Sequence, residues 1–494
     1  MMSEFDKDRR LIVVSNRLPF TRLEDGKGGF VWEKSAGGLI TAMEPVLLGL
    51  NGIWIGWDGM LSEKPENESS GLIDVKDIEA KEEVARKQGR TYSIACVPID
   101  RGEFDEYYNY LSNGTLWALF HYFFEKCFLD YNSWRTYCRV NERFARYIDN
   151  IAGENDIIWI HDFHLFMTPY YLRRLRPRQA IHFFLHIPFP HIDIFDILPW
   201  KDQILNSLLC CDTVGFHHKR YFQNFKGAVD QHCKGEKYGR TEKMCGAGGT
   251  YVYVNPISID FDVIDRISRS PSVAARREEI RKQAICPKII IGVDRIDYSK
   301  GIRERLLGLE CLLKEHPELK EEFFYYQLVI PSREEIGTYM TLKKEIDEII
   351  GRINGEFASG LWAPVHYNYG TVSLEELVAL YSAADIALVT PLRDGMNLVC
   401  KEYIAAHSDN DGILILSKFA GAIAEIKNCL PVNPYSIEDI ADTIYQALHM
   451  PEEERKKRMK KMRKNIGEKN INKWLENCMH YFDVAEQQKD KQGE

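Results

Sequence analysis

Two loops in the second half of the chain collect the residue types that hold a pyrophosphate. The first is Val293-Asp294-Arg295-Ile296-Asp297-Tyr298-Ser299-Lys300-Gly301, launched from an apolar run that begins at Lys288. The second runs from Thr390 to Glu402 through Arg393, Asp394, Gly395, Asn397, Leu398 and Val399, launched from an apolar run that begins at Asp385. Each leads into a helical pattern, and helix N-terminal N–H groups beside a glycine and an Arg/Lys pair bind phosphate oxygens. Arg295 brings a planar fork and Lys300 a compact point charge. Asp394 and Gly395 stand where backbone N–H groups would meet sugar hydroxyls. Glu402 falls about two helical turns further on, where a carboxylate accepts ribose hydroxyls. Neither loop is a Walker A motif or a GxGxxG fingerprint, and one alone reads equally well as an ordinary βα turn. Two of them, with an acid in the second helix, point to a sugar-nucleotide site.

The first half carries a different inventory. Arg17 ends the first apolar run, and Gly37-Gly38 precedes a helix, a place for close backbone approach. Trp159-Ile160-His161-Asp162-Phe163-His164 and Phe184-Leu185-His186-Ile187-Pro188 put polar side chains just past apolar runs, where function concentrates. Six histidines (161, 164, 186, 191, 217 and 218) raise the question of a metal, but no HExxH or Cys/His frame is present. Asp260-Phe261-Asp262 has the spacing of a metal-binding Asp-x-Asp and reads instead as a helix cap. No metal and no cofactor are expected, so protein cations must neutralise a leaving diphosphate. Arg333, past the run ending at Ile330, is a further cation at a strand end.

These residues need a scaffold that delivers them to one edge. Short runs rich in Ile, Val and Phe predict buried strands at 11–15, 52–57, 157–160, 182–186, 213–216, 289–293, 324–330 and 386–389. Helical patterns at 168–175, 303–315 and 374–384 alternate with them, the βα order of parallel, doubly wound α/β sheets. Ligands in such sheets sit beyond the carboxyl ends of the strands. At 494 residues two domains are expected, 1–255 and 256–474, with 475–494 a C-terminal helix returning to the first. Lys234 to Gly249 reads as a polar surface stretch before the boundary.

A net charge of −9 argues against nucleic-acid or anionic-membrane partners, and the basic run 455–464 reads as a solvated helix face. The 12 cysteines show no CxxC pair, which fits reduced thiols in a cytoplasmic protein. No window approaches a membrane span. Homo-oligomerisation stays open.

Read together, VVSNRLP, SAGGL, WIGWDG, DEYYNYLSNGTLWALFHY, DIIWIHDFHL, FFLHIPFP, VDRIDYSKG, GRINGEF and VTPLRDGMNLVCKEY resemble glycosyltransferase family 20, the trehalose-6-phosphate synthases. The resemblance runs from Leu11 to Trp474. It implies a GT-B fold, two Rossmann-like domains facing across a cleft. It also implies a retaining, metal-independent transfer of glucose from a nucleotide-glucose, UDP-glucose first, to glucose 6-phosphate. Gly38, His186, Asp394, Leu398 and Val399 would hold the donor glucose, Arg295 and Lys300 the diphosphate, and Glu402 the ribose. Arg17, Tyr108, Trp117 and Arg333 would hold the acceptor phosphate, and Asp162 would orient the acceptor hydroxyl. Asp162, His186, Arg295 and Lys300 form the implied catalytic set, and the segment 360–365 is expected to flank the base. The text around Asp196–Trp200 and Leu208–Asp212 is closer to the related glucosylglycerol-phosphate synthases, whose acceptor would be glycerol 3-phosphate. A regulatory relative without turnover would be expected to lose Arg295, Lys300 or Glu402, and all three are present.

Overall fold

The computed structural model describes residues 9–26, 29–35, 38–63, 65, 71–78, 91–233, 249–284, 286–332 and 337–490. The chain divides into two compact units, Met1–Pro256 with Leu475–Glu494, and Ile257–Trp474.

The first unit contains β1 (Leu11–Arg17), β2 (Phe20–Glu24), β3 (Phe30–Lys34), β4 (Ile53–Trp57), β5 (Ile73–Asp74), β6 (Ser93–Cys96), β7 (Ile157–His161), β8 (Ala180–Leu185), β9 (Thr213–Phe216) and β10 (Tyr251–Val254). Among the described residues, eight of these form one sheet in the order β10-β9-β8-β7-β1-β4-β6-β5, and β2 and β3 pair as a hairpin. Every pairing in the sheet is parallel except β5 against β6. Leu11, Ile12, Val13 and Val14 are fully buried, as are Ile158, Trp159 and Ile160. Runs apolar on both faces are what a sheet covered on both sides requires. Parallel pairing then sends the carboxyl ends of β1, β4, β7, β8 and β9 to one edge.

The second unit contains β11 (Lys288–Arg295), β12 (Phe323–Ile330), β13 (Val365–Tyr369), β14 (Ile386–Val389), β15 (Ile413–Ser417) and β16 (Leu430–Val432). They pair in parallel in the order β13-β12-β11-β14-β15-β16. The strand order turns back between β11 and β14, and a crevice at such a reversal is where doubly wound sheets bind ligands. The two loops of interest leave these two strands.

All eight strand positions read from sequence carry strands. The helices Thr168–Leu175, Ile302–Glu315 and Leu374–Ala383 lie where the helical patterns fall. Asp260 is a helix cap: its side chain accepts from Val263 N at 3.0 Å at the start of Phe261–Ser268. The basic run forms the helix Glu452–Glu468, with Glu452 to Glu454 in its first turn and i,i+4 pairs Glu452–Lys456 and Glu454–Arg458. Arg463 departs from the solvated-face reading. It is buried and paired with Asp265.

The last helix, Ile471–Asp490, packs Phe482 flat on His182 of β8, with ring centroids 3.7 Å apart. Glu486 pairs with Arg9 and Lys489 with the buried Asp212. No described helix is long and apolar enough to cross a membrane.

Candidate active site

At the edge of the second unit, β11 runs on to Arg295, so that this residue is the exposed last residue of a strand. Asp297 then turns the chain: its Oδ1 accepts from Ser299 N at 2.8 Å and caps the short turn Tyr298–Lys300. Gly301 follows with φ +64°, the left-handed conformation that favours glycine. A Cβ there would strike the carbonyl oxygen of Thr390, the first residue of the second loop. The loops therefore nest, and Leu392 N completes the contact by donating to Ser299 O at 2.8 Å.

Lys300 and Asp394, expected in separate roles, are paired: Nζ donates to Oδ2 at 2.7 Å, and both side chains are largely buried. Asn397 Nδ2 donates to the same carboxylate oxygen at 3.2 Å. The backbone of Asp394 differs from expectation as well. Its N–H donates to Phe419 O at 3.2 Å in a parallel bridge to Ala420, so it is committed within the fold. Asn397 adopts φ +79° and accepts from Cys400 N at 3.1 Å. The helix Val399–Ala406 begins after it, with Leu398 as its N-cap and no side-chain bond to that cap. Glu402 lies in the first turn of this helix, after the loop formed by residues 394–398. Tyr381 Oη donates to Glu402 Oε2 at 3.2 Å, and burial raises the carboxyl above the usual glutamate range.

Beneath the loops is a residue that sequence reasoning passed over. Arg305 is wholly buried. It donates to Asp294 Oδ2 at 2.6 Å, Thr390 Oγ1 at 2.9 Å, Tyr325 Oη at 3.0 Å, Gln327 Oε1 at 3.1 Å and Lys300 O at 3.3 Å. One guanidinium thus ties together the ends of β11 and β14 and the first loop. The available signal was its place on the apolar stripe of its helix with Ile302, Leu306 and Leu309. A buried Lys401 behind the site pairs with Glu425 at 2.8 Å and donates to Ile257 O at 2.7 Å.

Arg333 lies outside the described residues, as does most of the stretch from Lys234 to Gly249. The segment 360–365 is a correction. It precedes β13, so it sits at the amino edge, away from Arg295 and Lys300 at the carboxyl edge. Trp362 is buried there, donating to Phe323 O at 2.8 Å, beside a cavity of about 190 Å³ bounded by Ile289, Phe324 and the Arg276–Glu376 ion pair.

In the first unit Arg17 is the exposed end of β1, and its guanidinium lies 4.1 Å from the ring centre of Trp57 and 6.0 Å from that of Tyr108. Tyr108 belongs to a π-helical run, Phe104–Leu116. Its ring stacks on Phe104 at 5.1 Å and on His164 at 5.7 Å. Trp117 is buried against His121 and Phe163. Phe163 touches His164 at 3.9 Å, so a chain of rings connects Trp117 to Tyr108. Gly38 begins the helix Gly38–Leu50.

Asp162 follows β7 with φ +73° and ψ 168°, a region nearly reserved for glycine and costing a non-glycine residue ~1–3 kcal/mol. That conformation lets its N–H donate to Phe184 O at 2.9 Å while its Oδ1 accepts from His186 N at 3.3 Å. His186 lies just past β8, and burial pushes its imidazole down to about 3. No group of three His, Cys, Asp or Glu among the described residues is placed to hold a metal ion.

Two doubly wound units, the second with cations and a helix start gathered at a sheet reversal, define the GT-B class of glycosyltransferase. Solved structures share the fold over nearly the whole chain. An alpha,alpha-trehalose-phosphate synthase (UDP-forming) from Burkholderia xenovorans, in complex with glucose-6-phosphate, is 30% identical with a TM-score of 0.84, covering 96% of this chain and 100% of that one. An E. coli protein bound with UDP-2-fluoro glucose is 32% identical with a TM-score of 0.84, covering 96% and 98%. Among curated relatives, a trehalose-6-phosphate synthase of Mycolicibacterium paratuberculosis is 37% identical over 477 residues, covering 94% of this chain and 93% of its own. The family model for glycosyltransferase family 20 matches residues 9–483, and the chain belongs to that family.

Proposed function

We propose that this glycosyltransferase moves glucose from UDP-glucose to glucose 6-phosphate, with retention at the anomeric carbon, giving α,α-trehalose 6-phosphate. The second unit would take the nucleotide sugar and the first the acceptor. The nested loops carry the reading: a buried Lys300–Asp394 pair, an exposed Arg295 at the strand end, and Glu402 opening the next helix. The named relatives in complex with glucose-6-phosphate and with UDP-2-fluoro glucose support the same substrates.

In this scheme the bond from the glucose C1 to the β-phosphate oxygen breaks as the acceptor hydroxyl attacks from the same face. The hydroxyl proton passes to an oxygen of the departing diphosphate. Arg295 and Lys300 stabilise the charge that develops on that diphosphate, an effect largest where the donors are already in place. Asp394 would then turn from Lys300 toward the glucose hydroxyls, with the N–H groups of Leu398 and Val399 beside it. Gly38 and His186 would complete the glucose pocket, and Glu402 would take the ribose. Arg17, Tyr108, Trp117 and Arg333 would bind the acceptor phosphate, and Asp162 would orient the attacking hydroxyl. Hydrolases instead use a spaced pair of carboxylates, an acid with a base or nucleophile. In this scheme the carboxylates have other roles, Asp394 toward glucose, Glu402 toward ribose and Asp162 toward the acceptor.

A cytoplasmic location fits the cysteines, which form no disulfide among the described residues. The deciding experiment is product analysis with a panel of nucleotide-glucose donors against glucose 6-phosphate and glycerol 3-phosphate. Trehalose 6-phosphate as the main product is expected. A glucosylglycerol phosphate, or no transfer, overturns the reading.

A further inference from the structure

Two histidines meet at the ends of adjacent strands. His161 is the last residue of β7, in register with Phe184 of β8, and is fully buried. His186 stands just past β8. The Nδ1 of His161 lies 3.0 Å from the Nε2 of His186, with the rings 5.3 Å apart and 24° from parallel.

One proton occupies that hydrogen bond, and the ring that owns it fixes the tautomer of both. If His186 donated, His161 would have to carry its own proton on Nε2. That nitrogen is buried with no hydrogen-bond partner among the described residues. An N–H buried without an acceptor costs ~1–3 kcal/mol, and orphaned donors are rarer in proteins than under-used acceptors. With the proton on His161 Nδ1, only a lone pair goes unmet. A second proton on either ring is opposed by burial. The groups facing the pair are the rings of Trp159, Phe184 and His217 and the carboxylate of Asp162.

We propose that His161 is a positioning residue: by donating from Nδ1 to Nε2 of His186, it holds His186 as the Nδ1–H tautomer. The His186 ring then offers substrate a donor at Nδ1 and has no lone pair with which to take the proton of the attacking hydroxyl. The strained Asp162 serves the same end, since it grips the His186 backbone while the preceding residue grips the ring. His161 acts through His186 and touches no reacting atom. The inference rests on the reading of His186 as a ligand of the donor sugar.

The test has a readout independent of activity. In the full-length protein labelled with ¹⁵N-histidine, ring-nitrogen NMR should show His186 Nε2 as an unprotonated acceptor and Nδ1 as protonated, assigned through a His186→Gln variant. A proton on His186 Nε2 overturns the proposal. Kinetics give the second arm. His161→Leu should lower kcat about tenfold, the worth of one hydrogen bond, with the acceptor KM unchanged. His161→Asn, which keeps a donor near the Nδ1 position, should recover most of that loss. Equal loss in both variants argues that His161 is merely structural and overturns the proposal. Should His161→Leu not fold, the wild-type spectrum and His161→Asn still decide. If the tautomer is as stated but no donor supports glucosyl transfer, the proposed function fails and the tautomer stands.

Discussion

The carboxyl edges of the two sheets are built from different materials. In the second unit the strand ends carry full charges set against each other: Lys300 on Asp394 and Arg305 on Asp294, with Arg295 exposed beyond them. In the first unit they carry imidazoles and aromatic rings: His161 on His186, Tyr108 between Phe104 and His164, and Arg17 over Trp57. The first unit also holds backbone strain at Asp162. A diphosphate that gains charge as it leaves needs cations, and cations survive burial only when paired. A hydroxyl that must be aimed needs fixed neutral surfaces. On the proposed function, the second unit manages charge and the first manages direction.

That contrast can be broken at four points. The largest effect is expected at Arg305. Replacing it with Met leaves Asp294 buried without its cation, and removing one partner of a buried pair costs about 3–5 kcal/mol. Urea unfolding should register this, and a loss under 1 kcal/mol would mean that the guanidinium does not brace the loops. Next, Lys300→Ala or Arg295→Ala should cut kcat by about 10²- to 10³-fold, as losing one preorganised donor does elsewhere. A near-normal rate in either variant would sink the diphosphate assignment.

Smaller effects should separate the substrates. Glu402→Gln should raise the donor KM by about 10- to 100-fold through loss of charge-assisted hydrogen bonds, while Arg17→Ala should do the same to the acceptor KM alone. Initial-rate kinetics with each substrate varied will show whether the effects stay on their own sides. Glu402→Gln should also stabilise the fold at neutral pH. Its raised pKa means that the anion is disfavoured in the folded state, so its contribution to stability fades as pH rises through that value.

The smallest expected effect belongs to the first unit's neutral imidazoles. His182 and His186 are both pushed down to about 3 by burial, against about 6.5 when unfolded. The unfolded state therefore takes up protons first, and stability present above pH 6.5 is lost as pH falls. Between pH 6.5 and 5 the unfolding free energy should drop by about 1.4 kcal/mol per pH unit for each such histidine. A His182→Phe variant should show a shallower slope, and an unchanged slope would remove that residue from the account.

Strand and helix positions were legible in the sequence wherever burial on both faces gave unbroken apolar runs. The less regular elements were not. The hairpin β2–β3 and strands such as β6 and β10 carry polar or aromatic residues that blur the period. The base-flanking segment was misplaced because Val365–Tyr369, with His366, Tyr367 and Asn368 in it, lacks the unbroken apolar run that marks the other strands, so nothing showed that 360–365 precedes one. Strand polarity in the folded sheet put 360–365 at the amino edge.

The sequence by itself determined the α/β class, the identity of the two loops and the residue types in them, because local periodicity and side-chain chemistry are properties of short segments. Only the tertiary structure decided the partners. Lys300 meets Asp394 across 94 residues, Arg305 meets Thr390 across 85, and His161 meets His186 across 25. Such contacts arise when parallel strands bring distant segments to one edge. There a buried charge or a buried N–H must find whatever partner the packing supplies.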